Sequence, residues 1–227
     1  MISVIMSAYN SEKHISNSIE SILGQSYQNF EFLIMDDGST DNTGKIINSY
    51  RKTDNRIKLF NNKSNIGLTK SLNFLINQAQ GEYLARQDSD DVSNSKRFEL
   101  QLNYMIKNNL QVSTTRAKIK NTNKKIPGYS YYLPYRVLMK FKNPFIHGTL
   151  IIKKSLMQTL GLYNEDYYFA QDYKLFADLL SKNYQIGSLN KCLYVLNVDN
   201  NLSNKFKNEQ REYAKVVKKD FKPFGLI

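Results

Sequence analysis

The sequence predicts an α/β protein with a mostly parallel, doubly wound central sheet flanked by helices. Three observations carry that expectation. Short β-branched apolar runs alternate with segments whose apolar residues recur at helical spacing. Two tight acidic clusters each follow directly on one of those apolar runs, where open parallel sheets bind ligands. The 227 residues, 41% of them hydrophobic, suffice for one large core.

Taken in order, residues 2–7 (Ile-Ser-Val-Ile-Met-Ser) read as a buried strand. Tyr9-Asn10-Ser11 gives a turn and a helix cap, and Ile15, Ile19, Ile22 and Leu23 form the apolar face of the helix behind it. Residues 30–35 are a second strand, ending in Asp36-Asp37-Gly38-Ser39-Thr40-Asp41. A helix over about 42–51, a strand over 57–60 and a polar turn over 61–67 follow, then a helix with Leu68, Leu72, Leu75, Ile76 and Ala79 on one face. Gly81 ends it. Residues 82–86 form a fourth strand that closes on Asp88-Ser89-Asp90-Asp91. Phe98, Leu102 and Met105 mark another helix, and residues 108–136 read as a strand plus an irregular loop rich in tyrosine. Residues 146–152 look like a strand interrupted by His147-Gly148, 155–160 like a short helix, 172–180 like a longer one, and 186–189 and 192–198 like short strands. From about Lys205 the chain is basic and aromatic.

Composition excludes several classes. No apolar run approaches the ~20 residues of a membrane helix, and the first residues lack a cationic leader, so no secretory signal is expected. The single Cys192 forms no internal disulfide, and one Cys with two His does not make a structural zinc site. A cytoplasmic, reduced setting is expected. Lys and Arg number 32 against 20 Asp and Glu, a net +12. Residues 1–100 carry 11 basic and 12 acidic side chains, whereas residues 101–227 carry 21 and 8. The back half therefore suits an anionic partner (nucleic acid, a lipid surface or a phosphorylated acceptor), or is simply a solvated surface.

The acidic clusters carry the chemistry. Asp88-Ser89-Asp90 offers two carboxylates one residue apart, hard oxygen ligands suited to Mg²⁺ or Mn²⁺ bound together with substrate phosphate. By itself the triplet is also an ordinary acidic turn or helix cap. In Asp36–Asp41 a carboxylate at a strand end can accept from a base N–H or a ribose hydroxyl, with Gly38 permitting close backbone approach. Neither a G-x-G-x-x-G fingerprint nor a Walker lysine loop is present, so a nucleotide would be held through metal and side chains.

Ser7-Ala8-Tyr9-Asn10, the helix ending in Ser21-Ile22-Leu23-Gly24-Gln25-Ser26-Tyr27, residues 32–41, Asn65-Ile66-Gly67-Leu68 and residues 81–91 together resemble glycosyltransferase family 2, especially bacterial exopolysaccharide transferases of the amylovoran type. The likeness continues through Arg97-Phe98, Gln101, residues 143–148 and residues 161–180, covering about 2–198. It implies a GT-A fold over 1–198, with a nucleotide- and metal-binding half (1–100), an acceptor-side half (101–198) and a basic tail (199–227). It implies an inverting transfer from a nucleotide-diphosphate sugar, UDP-linked, with Mn²⁺ or Mg²⁺, to a glycan or lipid-linked acceptor in surface polysaccharide or lipooligosaccharide assembly. Position by position, it implies that Ser7 and Tyr9 border the nucleoside, Asp37 meets the base, Asp88 faces the ribose or donor sugar, Asp90 ligates the metal and Asp172 is the catalytic base. Where the family has Glu-Asp, this chain has Gln171-Asp172, which removes a negative neighbour and favours a more acidic Asp172. The family's Tyr-Arg pair at the last strand is reduced to Tyr194.

Other roles stay open at this level. Asp172 is either base or helix N-cap, or both. His147 is either an acceptor or diphosphate contact or a structural residue, and Arg86 and Arg97 either assist phosphates or pair with the acidic cluster. The basic tail is either an interfacial helix against anionic lipid on the inner face of the cytoplasmic membrane or a helix packed on the domain. A nucleic-acid-binding protein and an inactive scaffold of the same fold are the competing readings. The first lacks any helix-turn-helix, RNP or zinc pattern, so no nucleic acid is expected.

Overall fold

The computed structural model describes residues 1–198 and 206–222. The apolar run after Asn29 forms β2 (Phe30–Asp36), every residue of which is buried. Beside it β1 (Ile2–Ala8) pairs in parallel, Ile2 opposite Phe30 and Ala8 opposite Asp36. β3 (Ile57–Asn61) extends the sheet on the far side of β2, and β4 (Tyr83–Arg86) pairs with the other edge of β1, both in parallel.

The second half of the chain adds β5 (Val92–Ser93), β6 (Val112–Ile119), β7 (Lys125–Ile126), β8 (Ile151–Lys153) and β9 (Ile186–Leu196). The sheet order is β3-β2-β1-β4-β8-β6-β9-β5, with β7 paired to β6. Six strands run one way; β5, β7 and β8 run against them. The mostly parallel expectation therefore holds, with three reversed strands that the sequence did not indicate. The two short strands expected at 186–189 and 192–198 are one continuous β9, with register shifts opposite Thr115–Lys118. Residues 146–152 are a 3-10 turn (His147–Thr149) leading into β8, not an interrupted strand.

Side chains alternate across the sheet, and helices cover both faces. Ile2, Val4, Met6 and Ala8 of β1 join one apolar cluster with Ile15, Ile19 and Ile22 of α1 (Ile15–Leu23), Ile47 of α2 (Thr43–Thr53) and Phe98, Leu102 and Met105 of α4 (Arg97–Lys107). Ile5 faces the opposite cluster, with Leu72, Leu75 and Ile76 of α3 (Leu68–Gln78) and Phe176 and Leu179 of α7 (Gln171–Ser181). Two shorter helices, α5 (Tyr135–Leu138) and α6 (Lys154–Thr159), lie between α4 and α7 in the chain. The basic segment after residue 205 forms α8 (Lys207–Asp220), whose Val217, with Phe221 beyond it, is buried in the second cluster, while Tyr213 stacks edge-on to Tyr167 and Phe169. The remainder of the tail, including Lys205 and Phe224, lies outside the described residues. Among the described residues no helix is long and apolar enough to cross a membrane.

One polar network pins the edge where β1, β2 and β3 begin. The buried Glu31 carboxylate accepts from Ser3 Oγ at 2.5 Å, Lys58 Nζ at 2.7 Å and Gln80 N–H at 2.6 Å, and Ser3 Oγ in turn accepts from Gly81 N–H.

Candidate active site

At the opposite edge, where β1, β2 and β4 end, their loops are stitched together. Asn10, in the left-handed region at φ 49°, accepts from Thr40 N–H, and its own N–H donates to Ser39 Oγ. Ser11 and Ser89 hydroxyls lie 2.8 Å apart, joining the loop after β1 to the acidic triplet. Because β8 and β5 run backwards, the segments that precede them reach the same edge: the His147–Thr149 turn before β8, and Asp88–Asp91 before β5.

Asp88 and Asp90 face this rim, each partly exposed, while Asp91 is buried. Burial first, then the charge of Asp88, pushes the Asp90 carboxyl up to about 6. Asp91 is also raised by burial and by both neighbours, although Asn197 N–H donates to its Oδ1 at 2.7 Å. Asp88 is fixed from below. Its Oδ1 pairs with Arg86 Nη2, and its N–H donates to the Tyr194 hydroxyl at 3.0 Å. Gly148 packs so tightly here that a Cβ would overlap the Tyr194 hydroxyl and come within 2.8 Å of Asp88 Oδ2.

Arg86 takes the pairing role of the two left open. It is 1% exposed; beyond the Asp88 pair, its Nη1 donates to the carbonyls of Ile5 (3.0 Å) and Gln87 (2.7 Å), while its Nε has no hydrogen-bond partner among the described residues. Arg97 is also fully buried and binds the carbonyls of Gly148 and Arg86. Both guanidiniums brace the rim from inside. Burial has a cost: it pulls Arg97 down to about 10, and the Nε of each guanidinium has no hydrogen-bond partner among the described residues, so the carbonyls and the Asp88 carboxylate offset only part of the desolvation.

Asp172 arrives from α7. Ala170, at φ 57°, caps that helix, so Asp172 sits in its first turn and is not the N-cap. Its Oδ2 accepts from Asn143 Nδ2 at 2.8 Å. Burial, reinforced by the charge of Asp88, raises its carboxyl above the ordinary value despite backbone and Asn143 hydrogen bonds. The loss of a glutamate at position 171 is thus outweighed by burial. His147 Nε2 and the Tyr163 hydroxyl share a hydrogen bond of 2.7 Å beside these groups. Burial and the nearby Arg86 push His147 down to about 3, so the imidazole is neutral at working pH.

Asp37 lies on the same edge but turns inward. At 2% exposure its carboxylate accepts from Asn62 Nδ2 (2.7 Å) and from the N–H groups of Ile66 and Gly67 (3.0 Å each), clamping the 62–67 loop. The close approach permitted by Gly38, at φ 73°, is that of this same loop: a Cβ would meet the Ser64 backbone at 2.6 Å. The base contact expected of Asp37 therefore falls to whatever acceptor capacity those three bonds leave. Ser7 is half-buried at the end of β1, and Tyr9 stands 47% exposed beyond it.

The profile described as Glycosyl transferase family 2 matches residues 3–161. The chain belongs to glycosyl transferase family 2. Among its family relatives, the UDP-Glc:alpha-D-GlcNAc-diphosphoundecaprenol beta-1,3-glucosyltransferase WfgD of Escherichia coli is 32% identical over 221 residues, which cover 94% of this chain and 84% of WfgD. Two solved structures share the GT-A fold. S. aureus TarS 1–349 in complex with UDP has TM-score 0.76 and 24% identity over 95% of this chain, and this chain spans 64% of that one. The mannosyltransferase PcManGT from Pyrobaculum calidifontis, in complex with GDP-Man and Mn²⁺, has TM-score 0.78 and 19% identity over 98% of this chain and 65% of its own.

The family's acidic rim is fit to take a divalent cation. Burial first, and then the crowding of three carboxylates within four residues, raises Asp90 and Asp91, and a cation would relieve that crowding. Among the described residues no three ligating side chains are gathered into a metal cage. Asp88 and Asp90 would supply only part of a shell, leaving the rest to water and phosphate oxygens, as Mg²⁺ and Mn²⁺ favour beside diphosphates. Sequence reading missed Tyr163, Asn143 and the central place of Tyr194. For Asn143 and Tyr163 only the surrounding motif gave a signal.

Proposed function

We propose that this chain is an inverting glycosyltransferase that moves a sugar from a nucleoside diphosphate, UDP in the first instance, to a hydroxyl of a glycan or lipid-linked acceptor in bacterial surface polysaccharide assembly. One observation carries the reading: the segment 143–148 bonds Asp172 of α7 at one end, through Asn143, and packs against Asp88 beyond β4 at the other, through Gly148, so the two carboxylates share one rim. Membership of the family and the UDP-glucose donor and diphosphoundecaprenol-linked acceptor in WfgD's name support the substrate classes.

In this mechanism Asp172 is the base. Asn143 fixes one of its oxygens, and burial strengthens its hold on a proton, which suits proton removal from an alcohol. The acceptor O–H proton passes to the Asp172 carboxylate while the acceptor oxygen bonds to the anomeric carbon. The bond from that carbon to the diphosphate breaks on the opposite face, and the electron pair leaves with the diphosphate. Asp90 with Asp88 would hold a divalent cation, which when bound supplies positive charge opposite the departing diphosphate. His147, neutral and joined to Tyr163, offers hydrogen bonding without charge.

The test pairs two variants. Asp172→Asn keeps Mn²⁺-dependent thermal stabilisation by UDP-sugars but loses about 10²–10⁴-fold in turnover, the usual share of a general base. Asp90→Ala loses the metal-dependent stabilisation itself. Wild-type turnover in both variants would overturn the assignment.

A further inference from the structure

The excess positive charge is not where the tail suggests. Residues 100–164 contain eleven Lys and Arg and no Asp or Glu, whereas residues 199–227 contain seven basic and four acidic side chains. Helix α8 uses most of its apolar residues internally: Val217 is buried in the core, Ala214 packs against that core and Tyr213 on Tyr167 and Phe169, leaving Val216 as its exposed apolar side chain. An interfacial helix needs that face free.

The segment from 124 to 142 has what the tail lacks. Its inward side chains anchor it. The Tyr131 hydroxyl donates to the Ser188 carbonyl at 2.6 Å, Tyr135 stacks on Phe145, Leu138 and Met139 are buried, and the Tyr173 hydroxyl donates to the Met139 carbonyl. Its outward side chains are apolar and bare: Tyr129 (95% exposed), Tyr132 (69%), Leu133 (54%), Val137 (44%) and Phe141 (68%). Exposed lysines 124, 125, 140 and 142 are interleaved with them, and Lys142 ties back to Ser130 Oγ. Isolated exposed apolar residues need no explanation, but five on one short segment do.

We propose that this face docks on an anionic lipid surface. Charge complementarity selects the occupant. Lysines are depleted at protein–protein contacts but attract anionic headgroups, and tyrosines favour the membrane interface, with one end apolar and the other wet. Position adds the function, resting on the transferase reading above. Phe141 is two residues from Asn143, at most about 7 Å of chain, and Asn143 holds the Asp172 carboxylate. A bilayer seated on this face presents the headgroup of a lipid-linked acceptor beside the base.

Flotation of the full chain with phosphatidylcholine vesicles, with and without one-quarter phosphatidylglycerol, tests the docking without donor or turnover, so its result is independent of the catalytic assignment. Wild type should float only with the anionic vesicles, and less at high salt. Lys124→Glu/Lys140→Glu should weaken partition at least tenfold, since each lysine near such a surface is worth roughly fivefold. Tyr132→Ser/Phe141→Ser should weaken it comparably, while Lys218→Glu/Lys219→Glu on α8 should not. Unchanged melting and UDP-sugar hydrolysis certify the folded state of each variant. Absence of wild-type flotation, wild-type flotation by both segment variants, or loss confined to the α8 variant would overturn the proposal. So would a concentration-dependent dimer, seen by light scattering and dissolved by Tyr132→Ser/Phe141→Ser, without vesicle binding.

Discussion

Replacing Arg86 with lysine distinguishes a guanidinium that braces the rim from one that binds phosphate. The side chain makes three contacts, to the carbonyls of Ile5 and Gln87 and to Asp88 Oδ1. Lysine keeps the charge but has a single nitrogen on a flexible stem, so at best it preserves the Asp88 pair and leaves two buried carbonyls without the Nη1 donor they share. Hydrogen bonds to charged groups contribute about 1.5–3 kcal/mol each, so losing two in Arg86→Lys should cost about 3–6 kcal/mol. A domain with about 10 kcal/mol of stability stays folded under that loss but melts on the order of 10 °C lower. Urea unfolding followed by circular dichroism gives the stability change, and UDP-sugar titration of the same sample gives donor affinity. A loss below about 1 kcal/mol together with a tenfold rise in donor KM would refute the bracing role and restore the phosphate contact.

Two further outcomes follow from other parts of the fold. Burial lifts the Glu31 carboxyl, but Lys58, Ser3 and the Gln80 N–H together pull it lower than burial raises it. Its contribution is therefore complete above the ordinary value of 4.5 and fades as pH falls through the lower folded value. The urea midpoint gap between wild type and Glu31→Gln should shrink as pH drops from 6 toward 3, and a gap constant with pH would contradict the network. Gly148→Ala forces a methyl group into the Tyr194 hydroxyl and against Asp88, at a cost of about 1–3 kcal/mol in stability. Turnover should fall with it; thermal melts and initial rates check both, and full activity at wild-type stability would show that this packing is dispensable.

The front of the sheet was legible because its signals are local. Apolar runs at 2–7 and 30–35 became β1 and β2, and the carboxylates after β2 and β4 do share an edge. What was hidden depends on distant partners. A two-residue strand such as β5 has no periodicity of its own and exists because Tyr194 and Val195 pair with it about a hundred residues later. Arginine reads as a surface residue, so the burial of Arg86 and Arg97 emerges only once the carbonyls of Ile5, Gln87 and Gly148 are seen around them. The motif suggested Asp172 but not its proton affinity, because desolvation and the Asn143 hydrogen bond depend on distant parts of the chain. The resemblance suggested a base contact for Asp37, whereas its nearest donors belong to the chain itself.

The reversal of β8 has an architectural corollary. One group of strands reaches the working edge with its ends and another with its beginnings, so segments from both halves of the chain meet there while the turns at 54–56, 80–82 and 108–111 gather at the far side. Extra loops, tags or fused modules grafted at 108–109 would hang from the back of the molecule, out of the reactants' way. The 80–82 and 54–56 turns tolerate this less well, since Gln80 and Gly81 are tied to Glu31 and Ser3, and Arg56 to Asp54 and Gln28.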